Sequence, residues 1–98
     1  MIEEIDGRLI EWDDEKNAIN RRKHHIDFED AGLVFGDEAR IEMFDALHSD
    51  DEDRYITIGK VDDVLFVVFT ERPEHHAIRL ISARRANAHE RRLYYGDS

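Results

Sequence analysis

From Ala39 onward the apolar residues stop recurring at helical spacing and alternate with polar ones, and this change of period narrows the possible folds more than any other feature. Ile41 and Met43 alternate with Arg40, Glu42 and Phe44, and Tyr55, Thr57 and Gly59 alternate with Ile56, Ile58 and Lys60. Val64 to Thr70 is a nearly continuous apolar, β-branched and aromatic run. These segments read as three strands. Ser49-Asp50-Asp51-Glu52-Asp53 is a loop, since no strand brings so many like charges together cheaply, and Val61-Asp62-Asp63-Val64 has the composition of a tight hairpin turn. The only proline, Pro73, interrupts the ladder. A fourth strand is predicted from about Ala77 to Ser82, with Ile78, Leu80 and Ser82 on one face and Arg79 and Ile81 on the other. Successive strands joined by turns predict an antiparallel meander.

Helix signals flank this block. Leu9 to Trp12 reads as a short strand, after which Asp13 supplies an N-cap with Asp14 and Glu15 in the first turn. The helix is predicted to run to about Arg22, with Arg21, Arg22 and Lys23 complementing the negative end of its dipole. After His24-His25, Asp27 with Asp30 resembles a capping box and opens a second helix whose Phe28, Ala31, Val34 and Phe35 share one side, ended by Gly36-Asp37. Asn87 caps a short last helix to about Tyr95, with Glu90 at the third position of a capping box. The fold class is therefore α+β, with two N-terminal helices, an antiparallel meander and a short C-terminal helix.

Ninety-eight residues suffice for one core, so a single domain over residues 1–98 is expected. No apolar run approaches the length of a membrane span, and the first residues lack the basic and apolar regions of a signal peptide, which leads to the expectation of a soluble, cytoplasmic protein. The absence of cysteine excludes disulfides, thiolate zinc sites and a cysteine nucleophile. The pairs His24-His25 and His75-His76 invite a metal, but adjacent residues seldom point at one ion and no carboxylates stand at a ligand spacing, so neither metal nor other cofactor is expected. Trp12, Phe28, Phe35, Phe66 and Phe69 read as core. A net charge of -10 argues at first sight against a nucleic-acid partner. Its distribution is uneven: residues 27–63 carry thirteen acids against Arg40, Arg54 and Lys60, whereas residues 64–98 carry six arginines against four acids. The basic third is either a solvated helix face or a phosphate site on an acidic body.

Ile10-Glu11-Trp12-Asp13-Asp14-Glu15-Lys16, then Arg22-Lys23-His24-His25-Ile26-Asp27-Phe28-Glu29-Asp30-Ala31 and Val34-Phe35, resemble the opening of the BrnT family. His48-Ser49, Arg54 to Gly59, Val67 to Glu71, Arg79 to Ala86, Glu90-Arg91-Arg92 and Tyr94 continue that resemblance over about residues 9–95. It implies a RelE-like ribonuclease toxin that works without a metal and inhibits translation. It also implies a BrnA-like antitoxin partner that carries any contact with operator DNA, and leaves a homodimer or a heterotetramer with the antitoxin open. Family members commonly have glycine where this chain has His25, a position suited to a left-handed helix cap.

Metal-free RNA cleavage needs a base, an acid and cations for the charge that grows on phosphorus. Arginine suits the last role because its planar fork pairs with phosphate. Arg79, Arg84 and Arg85 are close enough in sequence to converge on one phosphate, in an anionic pocket with the carboxylates facing elsewhere. His48 and Glu71 are candidate proton-transfer groups; Glu90 is an alternative whose capping role competes. Arg54, Lys60, Arg91, Arg92 and Tyr94 are candidate RNA contacts, Tyr94 by stacking or proton donation. The competing reading is a non-catalytic binding module, or an inactive toxin homologue, whose acidic surface docks a basic partner.

Overall fold

The computed structural model describes residues 1–5 and 7–96. Six strands, β1 (Ile2–Ile5), β2 (Arg8–Glu11), β3 (Ile41–Phe44), β4 (Tyr55–Val61), β5 (Asp63–Arg72) and β6 (Ala77–Arg85), form one sheet in the order β1-β2-β6-β5-β4-β3. The helices are α1 (Asp14–His24), α2 (Phe28–Ala31) and α3 (Ala88–Tyr95). β3 to β6 are successive antiparallel neighbours, but β2 pairs parallel with β6, so the sheet is mixed. Among the described residues no helix is long and apolar enough to cross a membrane.

The local signals act where the residue types place them. The Asp13 carboxylate accepts the N–H groups of Glu15 and Lys16 at 2.8 and 3.3 Å. At the other end of α1, His25 takes the left-handed conformation itself, φ 60°, and donates its N–H to the Arg21 carbonyl. The second helix is shorter than its periodicity predicts: α2 has one turn and then tightens into a 3-10 segment, Gly32–Gly36. Gly32 lies directly on β1, where a Cβ would stand 2.7 Å from Ile5 Cδ1, so this turn packs against the sheet more closely than a side chain would allow. Val34 and Phe35 still reach the core.

One face of the sheet carries this core. Ile10, Leu65, Val67, Phe69, Leu80 and Ala83 meet Ile26, Phe28, Ala31, Val34 and Phe35, with Trp12 edge-on to Phe28. The side that α1 turns inward is polar. Asn20 donates to the carbonyls of Ile26 and Ala83, both at 2.9 Å, and accepts the Ala83 N–H at 3.1 Å, while Asn17 accepts the Phe28 N–H at 2.8 Å. On the other face α3 contacts β4 and β5, where Ile58 and Val64 are buried.

Strict alternation along the last strand does not hold. Leu80 stands opposite Phe69 but Ser82 stands opposite Val68, so Ile81 is an extra residue in a bulge. One inserted residue reverses the faces of all that follow. Ser82 therefore shares a face with Arg79, not with Leu80, and Arg84, opposite Phe66, joins them, while Arg85, opposite Leu65, turns to the helix side.

Asn20 ties α1 to β6 beyond the bulge. Asn20→Ala leaves two buried carbonyls and a buried N–H without their partner and is expected to lower stability by about 3 kcal/mol, read from urea unfolding; a loss below about 1 kcal/mol would show that the tether is not required.

Candidate functional site

The sequence-derived candidates fall at two ends of the sheet. Lys60, Arg84, Arg85, Arg91, Arg92 and Tyr94 lie at the end that holds the β4–β5 turn and α3; His48, Arg54, Glu71 and Arg79 lie towards the other. Arg79, Arg84 and Arg85 do not gather around one pocket. Each is engaged by a carboxylate of its own: Arg79 by Glu11 at 3.1 Å, Arg84 by Glu90 through two bonds of 2.8 and 2.9 Å, and Arg85 by Asp63 at 3.2 Å. Convergence fails because the bulge sends Arg85 to the opposite face, and because Arg79 and Arg84 stand four register positions apart, about 13 Å along the strand.

The face that Arg79, Ser82 and Arg84 share is open between them. Ile56, Phe66 and Val68 on β4 and β5 are only half-buried, and Met43 on β3 is exposed. Arg84 lies over the Phe66 ring, 4.0 Å from its centroid, with its fork edge-on to Glu90. The hydrogen bond from Arg84 is the main reason the Glu90 carboxyl is held below the usual range despite its burial, and the same bond pushes the Arg84 guanidinium up. Glu90 also closes the capping box of α3, accepting the Asn87 N–H at 2.9 Å. Its capping and pairing roles thus coincide.

A second cluster lies at the Arg79 end. Glu11, nearly fully buried at the end of β2, bridges Arg79 and His75: one oxygen accepts from the Arg79 guanidinium and the other lies 2.8 Å from His75 Nδ1. Burial pushes the Glu11 carboxyl up, but the bond and charge of His75 and the charges of Arg79 and Arg72 outweigh it, and the carboxyl stays below its ordinary range. Sequence reasoning passed over Glu11 and reached His75 only as half of a histidine pair. The available signal was a lone acid between the apolar residues of a short strand; its partners come from a parallel pairing between positions 68 apart.

The remaining candidates stand elsewhere. His48 is exposed in the turn that follows the edge strand β3, its Nδ1 3.0 Å from Asp45. Arg54 lines a small depression of about 250 Å³ with His48, Asp50, Asp51 and Glu52. Glu71, opposite Ile78, points to the helix side, away from Arg79. Arg91 is held by Asp63 at 3.0 Å, and Arg92 and Lys60 are exposed. Tyr94 neither packs in the core nor offers a free hydroxyl: it donates to Asp37 at 2.6 Å, and that bond pushes its hydroxyl up to about 12. Among the described residues no group of three or more His, Asp or Glu side chains is arranged to hold a metal ion.

Glu90→Gln is expected to cost about 2 kcal/mol near neutral pH, because it weakens a cap and leaves a half-buried guanidinium without its charge partner. The folded-state carboxyl titrates below its usual value of 4.5, so its contribution is complete above that value and disappears as pH falls through the depressed one. The stability gap between wild type and variant should accordingly close on acidification; a gap independent of pH would mean that the ion pair contributes nothing.

The family model of the ribonuclease toxin BrnT of type II toxin–antitoxin systems matches residues 12–90. A search of curated proteins gave no match. The matched segment takes in both Arg79 and Arg84 with their carboxylates, except for Glu11, which precedes it by one position. With four-fifths of its length under that model, the chain belongs to the BrnT family of ribonuclease toxins from type II toxin–antitoxin systems.

Proposed function

We propose that RNA is bound and cut on the open sheet face between Arg79 and Arg84, by attack of a ribose 2′-hydroxyl on the adjacent phosphate and without a metal. The observation that carries this reading is the bulge-aligned row Arg79, Ser82, Arg84, with each guanidinium oriented from one side by a carboxylate and still partly exposed. A guanidinium has five N–H donors. Glu11 engages Arg79 through a single nitrogen, and Glu90 engages Arg84 through two, so each fork keeps donors for phosphate. A fork already held in place loses less freedom when phosphate arrives. Arg84 already covers Phe66, so bases can stack on the guanidinium plane of Arg84 and on the half-buried Ile56 and Val68 beside it.

The same reading takes the fold as RelE-like, with α1 and α2 packed on one face and substrate on the other, beside α3. Type II membership implies an antitoxin, and we infer a BrnA-like basic one, which suits a chain of net charge -10. In this arrangement the toxin inhibits translation by RNA cleavage until the antitoxin covers the face, and operator DNA is contacted only through the antitoxin.

Induced expression without an antitoxin should arrest growth and leave RNA fragments, and cleavage by the purified chain should persist in a chelator. Arg79→Ala and Arg84→Ala should each reduce cleavage by about 100-fold or more, the scale of losing a donor that meets developing charge, while circular dichroism shows a folded chain. Undiminished growth arrest by both variants would remove the face from the reaction.

A further inference from the structure

We infer that His75 is the proton-transfer residue of this site, with Glu11 as the positioning residue that orients it. The inference rests on the reading that RNA is cut beside Arg79. His75 lies in the 3-10 turn Pro73–His75 between β5 and β6, and its side chain is 53% exposed while that of Glu11 is 7% exposed. The two therefore differ in what they can do. Glu11 is enclosed by its partners, whereas His75 presents its ring to solvent at the mouth of the open face.

The hydrogen bond decides which ring nitrogen is available. An ionised carboxylate only accepts, so the proton of neutral His75 sits on Nδ1, facing Glu11 Oε1 at 2.8 Å, and Nε2 carries the lone pair. Among the described residues Nε2 has no hydrogen-bond partner. The same carboxylate holds Arg79 through Oε2 at 3.1 Å, so a phosphate taken by the free side of the Arg79 fork lies next to the imidazole. Arg8, Glu71, Arg72, Glu74 and His76 are other charged or titratable groups around the turn, and the Asp13 carboxylate is near enough to feel the charge of Arg79. Arg72 is drawn to Glu52 at 3.2 Å, and His76 closes the turn in the left-handed conformation.

In the step, His75 Nε2 takes the proton of the 2′-hydroxyl as O2′ bonds to phosphorus and the bond from phosphorus to O5′ breaks. The departing O5′ takes a proton from water, and the imidazolium returns its own to the resulting hydroxide. The products are a 2′,3′-cyclic phosphate and a 5′-hydroxyl end. Arg79 faces the charge that accumulates on the phosphoryl oxygens. Glu11 keeps the tautomer and ring orientation and touches no substrate atom, as a buried carboxylate does behind other catalytic imidazoles.

The test uses the full chain and a single-stranded RNA oligonucleotide. His75→Ala is expected to lose about 100-fold or more in kcat with little change in KM, and imidazole added to the buffer should restore part of the rate. Glu11→Gln should fall between wild type and His75→Ala and gain nothing from imidazole. His76→Asn, which tolerates the left-handed turn, should cleave as wild type does. A His75→Ala enzyme at full rate, or one whose lost rate imidazole does not restore while its thermal midpoint is unchanged, overturns the role of His75 and leaves the arginine face standing provided Arg84→Ala is impaired. Full rates in Arg79→Ala and Arg84→Ala, or no cleavage by wild type, overturn the reading beneath it.

Discussion

A single inserted residue in β6 organises this molecule. Without the bulge at Ile81, Arg79 and Arg84 would point to opposite faces, because five positions along a regular strand is an odd number. With it, both arginines and Ser82 lie on the open side, while Leu80 and Ala83, three apart, both face the core. The bulge thus satisfies two demands together: apolar residues inward from Ile78 to Ala83, and both Arg79 and Arg84 outward. Asn20 of α1 binds both the N–H and the carbonyl of Ala83, two residues past the irregularity, and so holds β6 where its faces have reversed.

The electrostatics follow from that placement. In a chain with so many more acids than bases, each key arginine is met by a carboxylate that comes from a different element. Glu11 arrives from β2 by way of the parallel pairing, Glu90 from α3 by way of its capping box, and Asp63 from the β4–β5 turn. The Arg85–Asp63 pair, exposed at both ends, adds little to stability, and the pairs of the buried Glu11 and Glu90 have first to offset the desolvation of the carboxylate. Their larger effect is on geometry, since a guanidinium fixed along one edge offers the other at a defined angle.

Much of the fold was legible because it depends on short-range chemistry. The caps at Asp13 and Asn87, the box formed with Glu90, the β4–β5 turn and the strands from β3 to β6 all rest on residues within a few positions of each other. The N-terminal strand was not legible: Ile-Glu-Glu-Ile offers too little alternation to signal a strand, and it is defined by pairing with β2 and by contact with Gly32. The candidate site was legible in part. Arg79 and Arg84 stood out as cations near a strand end, yet their expected convergence with Arg85 assumed that closeness in sequence means closeness of side chains. Glu71 was chosen as an acid at a strand end and His48 as a histidine beside the acidic loop; Glu71 faces the helix side of the sheet, and His48 stands in the turn after the edge strand β3.

By itself, the sequence determined most of the secondary elements, the α+β class and, through its matched motifs, the toxin family, since these depend on residue type and local spacing. Tertiary structure alone decided which charges share a face and which carboxylate holds which arginine. The parallel pairing of β2 with β6 brings Glu11 to His75 and Arg79 across more than sixty positions, and the bulge sets the side on which each later residue emerges. Such contacts depend on register between distant segments, and register is set by how the whole sheet buries its apolar face rather than by any one stretch of chain.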